Sequence, residues 1–258
     1  MKHLIIGDAH AQPDVANDRF DWLGELIAEE KPDVVVDIGD MASVDSLCSY
    51  DKGTKSFEGR RLADDFEVTR DARARINAPI DKLNSTFYRK HKKKKYSPRL
   101  VGIVGNHEAR VDKMLEHNPE WIGMYSVDDF GYSAYGWEMQ PFLSILNVDG
   151  INYCHYFTSG VMGRAISGVN AGRKIVQRLH ASGTQGHSHF YEHHTEVTVD
   201  GQRLHGCMAG CYFDHHMGYA GQSNAEFRTG ILIKDNVDGV GDYDERWVSI
   251  EEIKRRYS

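Results

Sequence analysis

His3-Leu4-Ile5-Ile6-Gly7-Asp8-Ala9-His10 is an apolar run that ends abruptly in two side chains of ligand type. An uninterrupted run of this kind predicts a strand over 3–7 buried on both faces, the habit of a parallel sheet covered by helices. The design returns twice. Residues 33–38, with three consecutive valines, lead into Gly39-Asp40, and residues 100–104 lead into Gly105-Asn106-His107-Glu108. Between the first two runs, Val15, Phe20, Leu23 and Ile27 recur at helical spacing over 14–30. The alternation is a βαβ pattern, and in open α/β sheets the carboxyl ends of the strands line the ligand crevice. Side chains placed just after three separate strands can therefore meet.

Further along, residues 60–95 read as a charged helix that Pro79 kinks or interrupts. The pattern then changes to hairpins. Segments 142–148 and 151–156 flank Asp149-Gly150, and segments 192–199 and 202–208 flank Asp200-Gly201. Asp-Gly between such runs is a strong hairpin signal. Residues 163–182 predict a helix with weak spots at Gly168 and Gly172, and 231–234 and 247–250 predict closing strands. No repeat or low-complexity linker divides the chain, so residues 1–258 are expected to form one domain.

Composition narrows the function classes. An apolar fraction of 40% supports a substantial core, and a net charge of −7 argues against a general nucleic-acid coat protein. It leaves room for a local basic groove. No apolar run approaches the roughly 18–20 residues that span a bilayer, so a soluble, cytoplasmic protein is expected. Four cysteines make no disulfide framework. Cys207 and Cys211 lack a second thiolate pair, so buried reduced thiols are expected rather than a zinc site.

The candidate ligands are Asp8, His10, Asp40, Asn106, His155, His187 and His189. They stand in Gly7-Asp8-Ala9-His10, Gly39-Asp40, Gly105-Asn106-His107-Glu108, Cys154-His155 and Gly186-His187-Ser188-His189. Imidazole and carboxylate suit zinc, iron or manganese, and a carboxylate can bridge two cations. The glycines before Asp8, Asp40, Asn106 and His187 allow sharp turns and close backbone approach. Each string alone has a plainer reading: Asp8 as a cap, Asp40 as a turn residue, His155 as a satisfied core histidine, Gly-His-Ser-His as a loop. Five in this order do not.

That order, Asp-x-His, Gly-Asp, Gly-Asn-His-Glu, a lone His and Gly-His-x-His, resembles the signature of the calcineurin-like metallophosphoesterases over residues 7–189. The resemblance implies an α/β/β/α fold of four layers: two mixed sheets face to face, helices outside, metals at one edge. It implies hydrolysis of a phosphoester by a hydroxide held between two divalent ions, manganese foremost, with iron, zinc, nickel or cobalt as alternatives. Asp8, His10 and His189 would hold the first ion, and Asn106, His155 and His187 the second, with Asp40 bridging. His107 would face the leaving group and protonate it or stabilise phosphate charge. Many members read Gly-Asp-x-x-Asp, the second aspartate orienting that histidine. Here Ser43 stands in its place, and Ser43, Asp45 or Asp37 is left for the task. Residues 45–52 resemble the variants of this family found in phages and prophages, which would place the protein in a host cytoplasm.

Three functions compete on this reading. A phosphodiesterase acting on nucleic acid or a nucleotide-derived diester is favoured by Ser43 and by the run Arg89-Lys90-His91-Lys92-Lys93-Lys94-Lys95, whose Lys92 to Lys95 could touch a phosphate backbone. A phosphomonoesterase, including a protein phosphatase, is the second. A non-catalytic module on the same fold is the third, disfavoured by the intact ligand set. Arg110 could reach a substrate phosphate or lie on the surface. Tyr212, Phe213, His215 and His216 could line the cleft or sit in loop or core. His193 and His194 are expected exposed, and Glu108 is expected to cap a helix over 109–117.

Overall fold

The computed structural model describes residues 1–92 and 94–258, apart from the side chains of Phe87 and Tyr88. Strand β1 (His3–Ile6) leads through α1 (Asp18–Glu30) to a parallel β2 (Val34–Asp37). Helix α2 (Leu62–Leu83) then leads to β3 (Arg99–Ile103), and α3 (Ala109–His117) precedes a short β4 (Glu138–Gln140), both strands parallel to their neighbours. The chain next crosses to a second sheet. There β5 (Leu146–Val148) and β6 (Ile151–Cys154) form a hairpin, followed by the small ribbon of β7 (Thr158–Ser159) and β8 (Arg164–Ala165). Helix α4 (Ala171–Leu179), β9 (Gly183–Gln185), β10 (Tyr191–Val197) and β11 (Arg203–Ala209) complete that half. Finally β12 (Gly230–Asp235) and β13 (Asp244–Ser249) return to the first sheet, and α5 (Ile250–Tyr257) follows. The strand orders are β13-β12-β1-β2-β3-β4 and β10-β11-β9-β6-β5, each mixing parallel and antiparallel pairs.

Alternation along the strands decides the layers. Ile5, Val36, Ile38, Val101 and Ile103 of the first sheet pack between the sheets against Val148, Ile151, Tyr153, Cys207 and Ala209. Leu4, Ile6 and Val35 point the other way, onto Phe20, Leu23 and Ile27 of α1 and Ile76 of α2. On the far side, Ile175 of α4 packs with Cys154, Phe157 and Met208. The result is the four-layer sandwich of two mixed sheets flanked by helices that the family resemblance implies. Each fully buried Val, Leu or Ile contributes about 1.5–3 kcal/mol by area removed from water.

Several local expectations change. The helix expected over 163–182 is confined to Ala171–Leu179, because Gly163, Gly168 and Asn170 adopt φ of 60°, 74° and 61°, outside the helical region. Pro79 does not end α2; its ring packs where a Cβ on Gly24 of α1 would stand, 2.9 Å away. His193 and His194 are half-buried rather than exposed, and His193 lies 3.1 Å from Glu245 and stacks on His205. All four cysteines are free thiols, three of them buried. Among the described residues no helix is long and apolar enough to cross a membrane.

Two buried cations tie the layers. Arg73 of α2 donates to Asp37 Oδ2 at 2.7 Å and lies over the Tyr132 ring, while Asp37 Oδ1 accepts from Gly39 N. Asp37 is thereby committed to the turn entering Asp40. Lys234 of β12, fully buried, donates to Thr184 Oγ1 and sits between the rings of Tyr153 and Tyr243. Burial pushes its pKa down to about 7, against about 10.4 in an unfolded chain. Between those values the unfolded state binds the extra proton, so this residue makes stability rise with pH. Urea unfolding at pH 7 and pH 9 should show that rise, and Lys234→Met should flatten it. Equal slopes in both proteins would refute the assignment.

Candidate metal centre

Three strand ends of the first sheet and two of the second converge at one edge. The turn after β1 carries Asp8 and His10, the turn after β2 carries Asp40, and the turn after β3 carries Asn106 and His107. From the second sheet come His155 after β6 and His187 and His189 after β9. The backbone stitches these turns together. Ala9 N and His10 N donate to Asp40 O, Gly186 N to His155 O, His187 N to Asp8 Oδ1 and Tyr212 N to Asp8 O. Gly105 and Gly186 are there because nothing larger fits: a Cβ would stand 2.1 Å from Asp40 N and 2.3 Å from Asp8 Oδ1 respectively.

Four of the seven candidate ligands hold strained backbone. His10, Asp40, His187 and His189 have φ of 46°, 55°, 69° and 60°, in the left-handed region. Such residues cost roughly 1–3 kcal/mol each and persist where the surroundings over-determine them. The strain turns every one of these side chains toward the same point.

Two ligand groups result. In the first, His189 Nε2 lies 3.1 Å from both His10 Nε2 and Asp8 Oδ2. In the second, Asn106 Oδ1 lies 2.8 Å from His155 Nε2 and from His187 Nδ1, and Asp40 Oδ2 lies 3.4 Å from His155 Nε2. Asp40 also belongs to a third group with His10 and His107, so it stands between the other two. His155 donates from Nδ1 to Ile38 O at 3.0 Å, which turns Nε2 inward as an acceptor when the ring is neutral.

The electrostatics suit cations. Burial lowers His10 well below its ordinary pKa and also lowers His187, keeping them neutral. Burial works against charge on Asp40, yet His155 and His107 hold its carboxyl well below the usual range. Burial likewise opposes a proton on His155, but Asp40 overrides it and pushes the pKa up to about 10. Asp8 Oδ2 is buried and accepts no hydrogen bond. Carboxylates, imidazoles and one amide, with an orphaned buried oxygen among them, fit a pair of divalent ions.

His107 stands apart. Its Nδ1 is 2.6 Å from Ser43 O, a carbonyl that can only accept, so Nδ1 carries the hydrogen and Nε2 faces the site. Arg110 donates to Ser43 O and Val44 O and brings Nη2 to 3.3 Å from His107 Nε2. None of the three expected side chains orients His107. The Ser43 hydroxyl lies instead 3.4 Å from His10 Nδ1, Asp45 is 4.0 Å from Arg110, and Asp37 pairs with Arg73. Arg110 is therefore a site neighbour rather than a surface group.

Glu108 differs from its expected capping role. Its carboxylate is fully buried and makes no cap on α3; it accepts from Asp40 N, Gly105 N and Ala42 N at 3.1, 3.1 and 2.9 Å, and from the Tyr132 hydroxyl. Burial, then Asp40, raises its pKa to about 7. Phe213 packs edge-on against His10 and His189, so part of the aromatic stretch after Gly210 does wall the centre, while Tyr212 is core and His216 is exposed. Phe227 on His189, Tyr156 on His187 and Arg19 donating to Ala9 O and His10 O were not anticipated. Arg19 and Phe227 stand beside no candidate ligand, and Tyr156, although it follows His155, carries no pattern that aims its ring at His187. The expected contact at Lys92 to Lys95 includes Lys93, which lies outside the described residues.

Comparison with known proteins bears on this geometry. The family model described as calcineurin-like phosphoesterase matches residues 1–192, a span that contains every candidate ligand. No curated protein matches. One solved crystal structure aligns over 96% of this chain and 98% of its own, at 12% identity and a TM-score of 0.42, a likeness too distant to argue from.

Proposed function

Because the chain belongs to the calcineurin-like phosphoesterase family, we propose that it is a dinuclear metal-dependent phosphodiesterase acting on nucleic acid or a nucleotide-derived diester. The observation that carries the dinuclear reading is the place of Asp40 between the group of Asp8, His10 and His189 and the group of His155 and His187. Divalent cations held there by those residues and Asn106, manganese foremost, would activate water and neutralise charge on the phosphoryl group.

The chain's own side chains supply the rest. Arg110 is the cation beside His107, and its single charge matches a diester monoanion better than a monoester dianion. A phosphate bound to Arg110 draws Nη2 away from His107 Nε2. It also adds a second anion near Asp40, which lies 3.8 Å from Nε2. Both changes favour a proton at Nε2, since a nearby anion stabilises the charged imidazole. As the ester bond to phosphorus breaks, that proton passes to the departing oxygen. Ser43 O keeps the ring aimed throughout.

Turnover of two chromogenic esters tests the reading. Manganese-loaded protein should hydrolyse bis-p-nitrophenyl phosphate about tenfold faster than p-nitrophenyl phosphate, a difference of about 1.4 kcal/mol in barrier. The reverse ratio would make it a monoesterase. No turnover of either with manganese, nickel, cobalt or zinc would leave a non-catalytic module.

A further inference from the structure

With 38 acidic residues in 258, an Asp or Glu is expected about every seventh position, yet none occurs from residue 150 to residue 191. That stretch carries Arg164, Arg173, Lys174 and Arg178, all exposed, in a chain of net charge −7. It is also the stretch that runs from β6 through the β7–β8 ribbon, α4 and β9, and it delivers His155, His187 and His189 to the metal centre. We infer that the outer face of α4 and the β7–β8 ribbon form a polyanion track, on which the backbone of a nucleic acid lies with one of its phosphodiesters led to the metal centre.

The inference rests on the phosphodiesterase reading and adds the surface that selects a polymeric substrate. Its cations are largely without acidic partners. Among the described residues Arg164, Lys174 and Arg178 make no ion pair, and Arg173 has only Glu196 at 3.8 Å, between two well-exposed side chains. Glu192, the nearest acid in sequence, is already used: its two carboxylate oxygens accept from Ala171 N and Gly172 N at the start of α4. Two of these cations tie α4 to neighbouring backbone, one of them in the segment that follows His155. Arg178 Nε donates to Thr158 O, three residues beyond His155, and Lys174 Nζ to Ser167 O. From Arg173 to Arg178 the helix rises about 7.5 Å, enough to meet two or three phosphates spaced about 3.4 Å along one strand. Beside the candidate ligands the half-buried Tyr156 ring lies 4.6 Å from His187 and edge-on to Phe142, a surface on which a base can stack.

A basic face with Val161 and Met162 protruding beside it would also suit an anionic membrane. That one acid-free stretch carries both these cations and His155, His187 and His189 favours the nucleic acid, whose repeating phosphodiester is both the ligand and the reacting group.

Binding of a fluorescent phosphorothioate oligonucleotide, which resists hydrolysis, to the manganese-loaded full chain decides the matter. Substituting Arg173→Ala, Lys174→Ala and Arg178→Ala together should weaken binding at least tenfold and reduce the slope of log affinity against log salt by about 2–3. Turnover of bis-p-nitrophenyl phosphate should be unchanged. Arg173→Glu with Lys174→Glu, which spares the Thr158 contact, should weaken binding in the same way if the triple variant folds poorly. Unaltered affinity and salt slope in both variants overturn the track, as does binding to phosphatidylserine vesicles with none to the oligonucleotide. Absence of ester turnover by the unmodified protein would instead count against the phosphodiesterase reading, whatever the oligonucleotide does.

Discussion

Asp40→Asn should lower phosphoester turnover by a factor of about a thousand or more and should cost the centre at least one of the two metal ions proposed for it. The substitution is nearly isosteric, and asparagine tolerates the left-handed backbone at this position, where φ is 55°. Asp40 Oδ1 accepts from His107 N at 2.9 Å, a bond that an amide oxygen can keep. What the change removes is charge at Oδ2, the atom facing His155 and His107. An amide cannot bridge two cations as a carboxylate does, and loss of several kcal/mol of transition-state stabilisation corresponds to three or more decades in rate. Elemental analysis should find fewer than two ions per chain. Thermal unfolding should rise with manganese concentration in the unmodified protein and respond much less in the variant, because only binding to the folded state stabilises it. Full metal content with undiminished turnover in Asp40→Asn would remove the bridging role.

Much of this centre could be read from residues 7–189 without a structure, and the reason is geometric. A parallel α/β sheet sends every strand's carboxyl end to one edge, so a ligand-type residue just after a buried run is already placed. Asp8, Asp40 and Asn106 were legible for that reason. His155 was less so, since an isolated histidine beside an apolar strand carries no direction of its own; the register of β6 with β9, Cys154 opposite Gln185, brings it to the same edge. The support of the centre was illegible. Tyr212 N reaches Asp8 O, and Arg19 reaches back to the loop of His10, through tertiary contacts that leave no periodicity in the sequence. The orientation of His107 was missed for a different reason. A backbone carbonyl, that of Ser43, holds the ring, and every residue has one. Val44 beside it holds φ of 47°, an outlying conformation for a β-branched residue, and at this bend the Ser43 carbonyl meets His107 and Arg110 while that of Val44 meets Arg110.

Glu108 shows how far this support reaches, and Glu108→Ala carries the second large expectation: a loss of about 3–5 kcal/mol in stability together with weakened metal binding. The carboxylate is the shared acceptor for three backbone N–H groups that belong to two different turns, those of Asp40 and Gly105. Alanine leaves all three donors buried. Each unsatisfied group costs about 1–3 kcal/mol, and partial relaxation or entry of water accounts for a total below the simple sum. The turns would also drift apart, and with them Asp40 and Asn106, which the ligand geometry needs within a few ångströms. Second-layer partners of metal ligands typically contribute 10–100-fold in affinity. Glu108→Gln separates the two effects. It keeps the shape and one acceptor oxygen, but its NH2 group meets backbone N–H groups where an oxygen stood, so it should lose less stability than alanine while still binding manganese more weakly. Denaturant unfolding and a manganese titration of both variants measure this. A Glu108→Ala protein as stable as its parent, with the same manganese affinity, would show that the two turns hold each other without it.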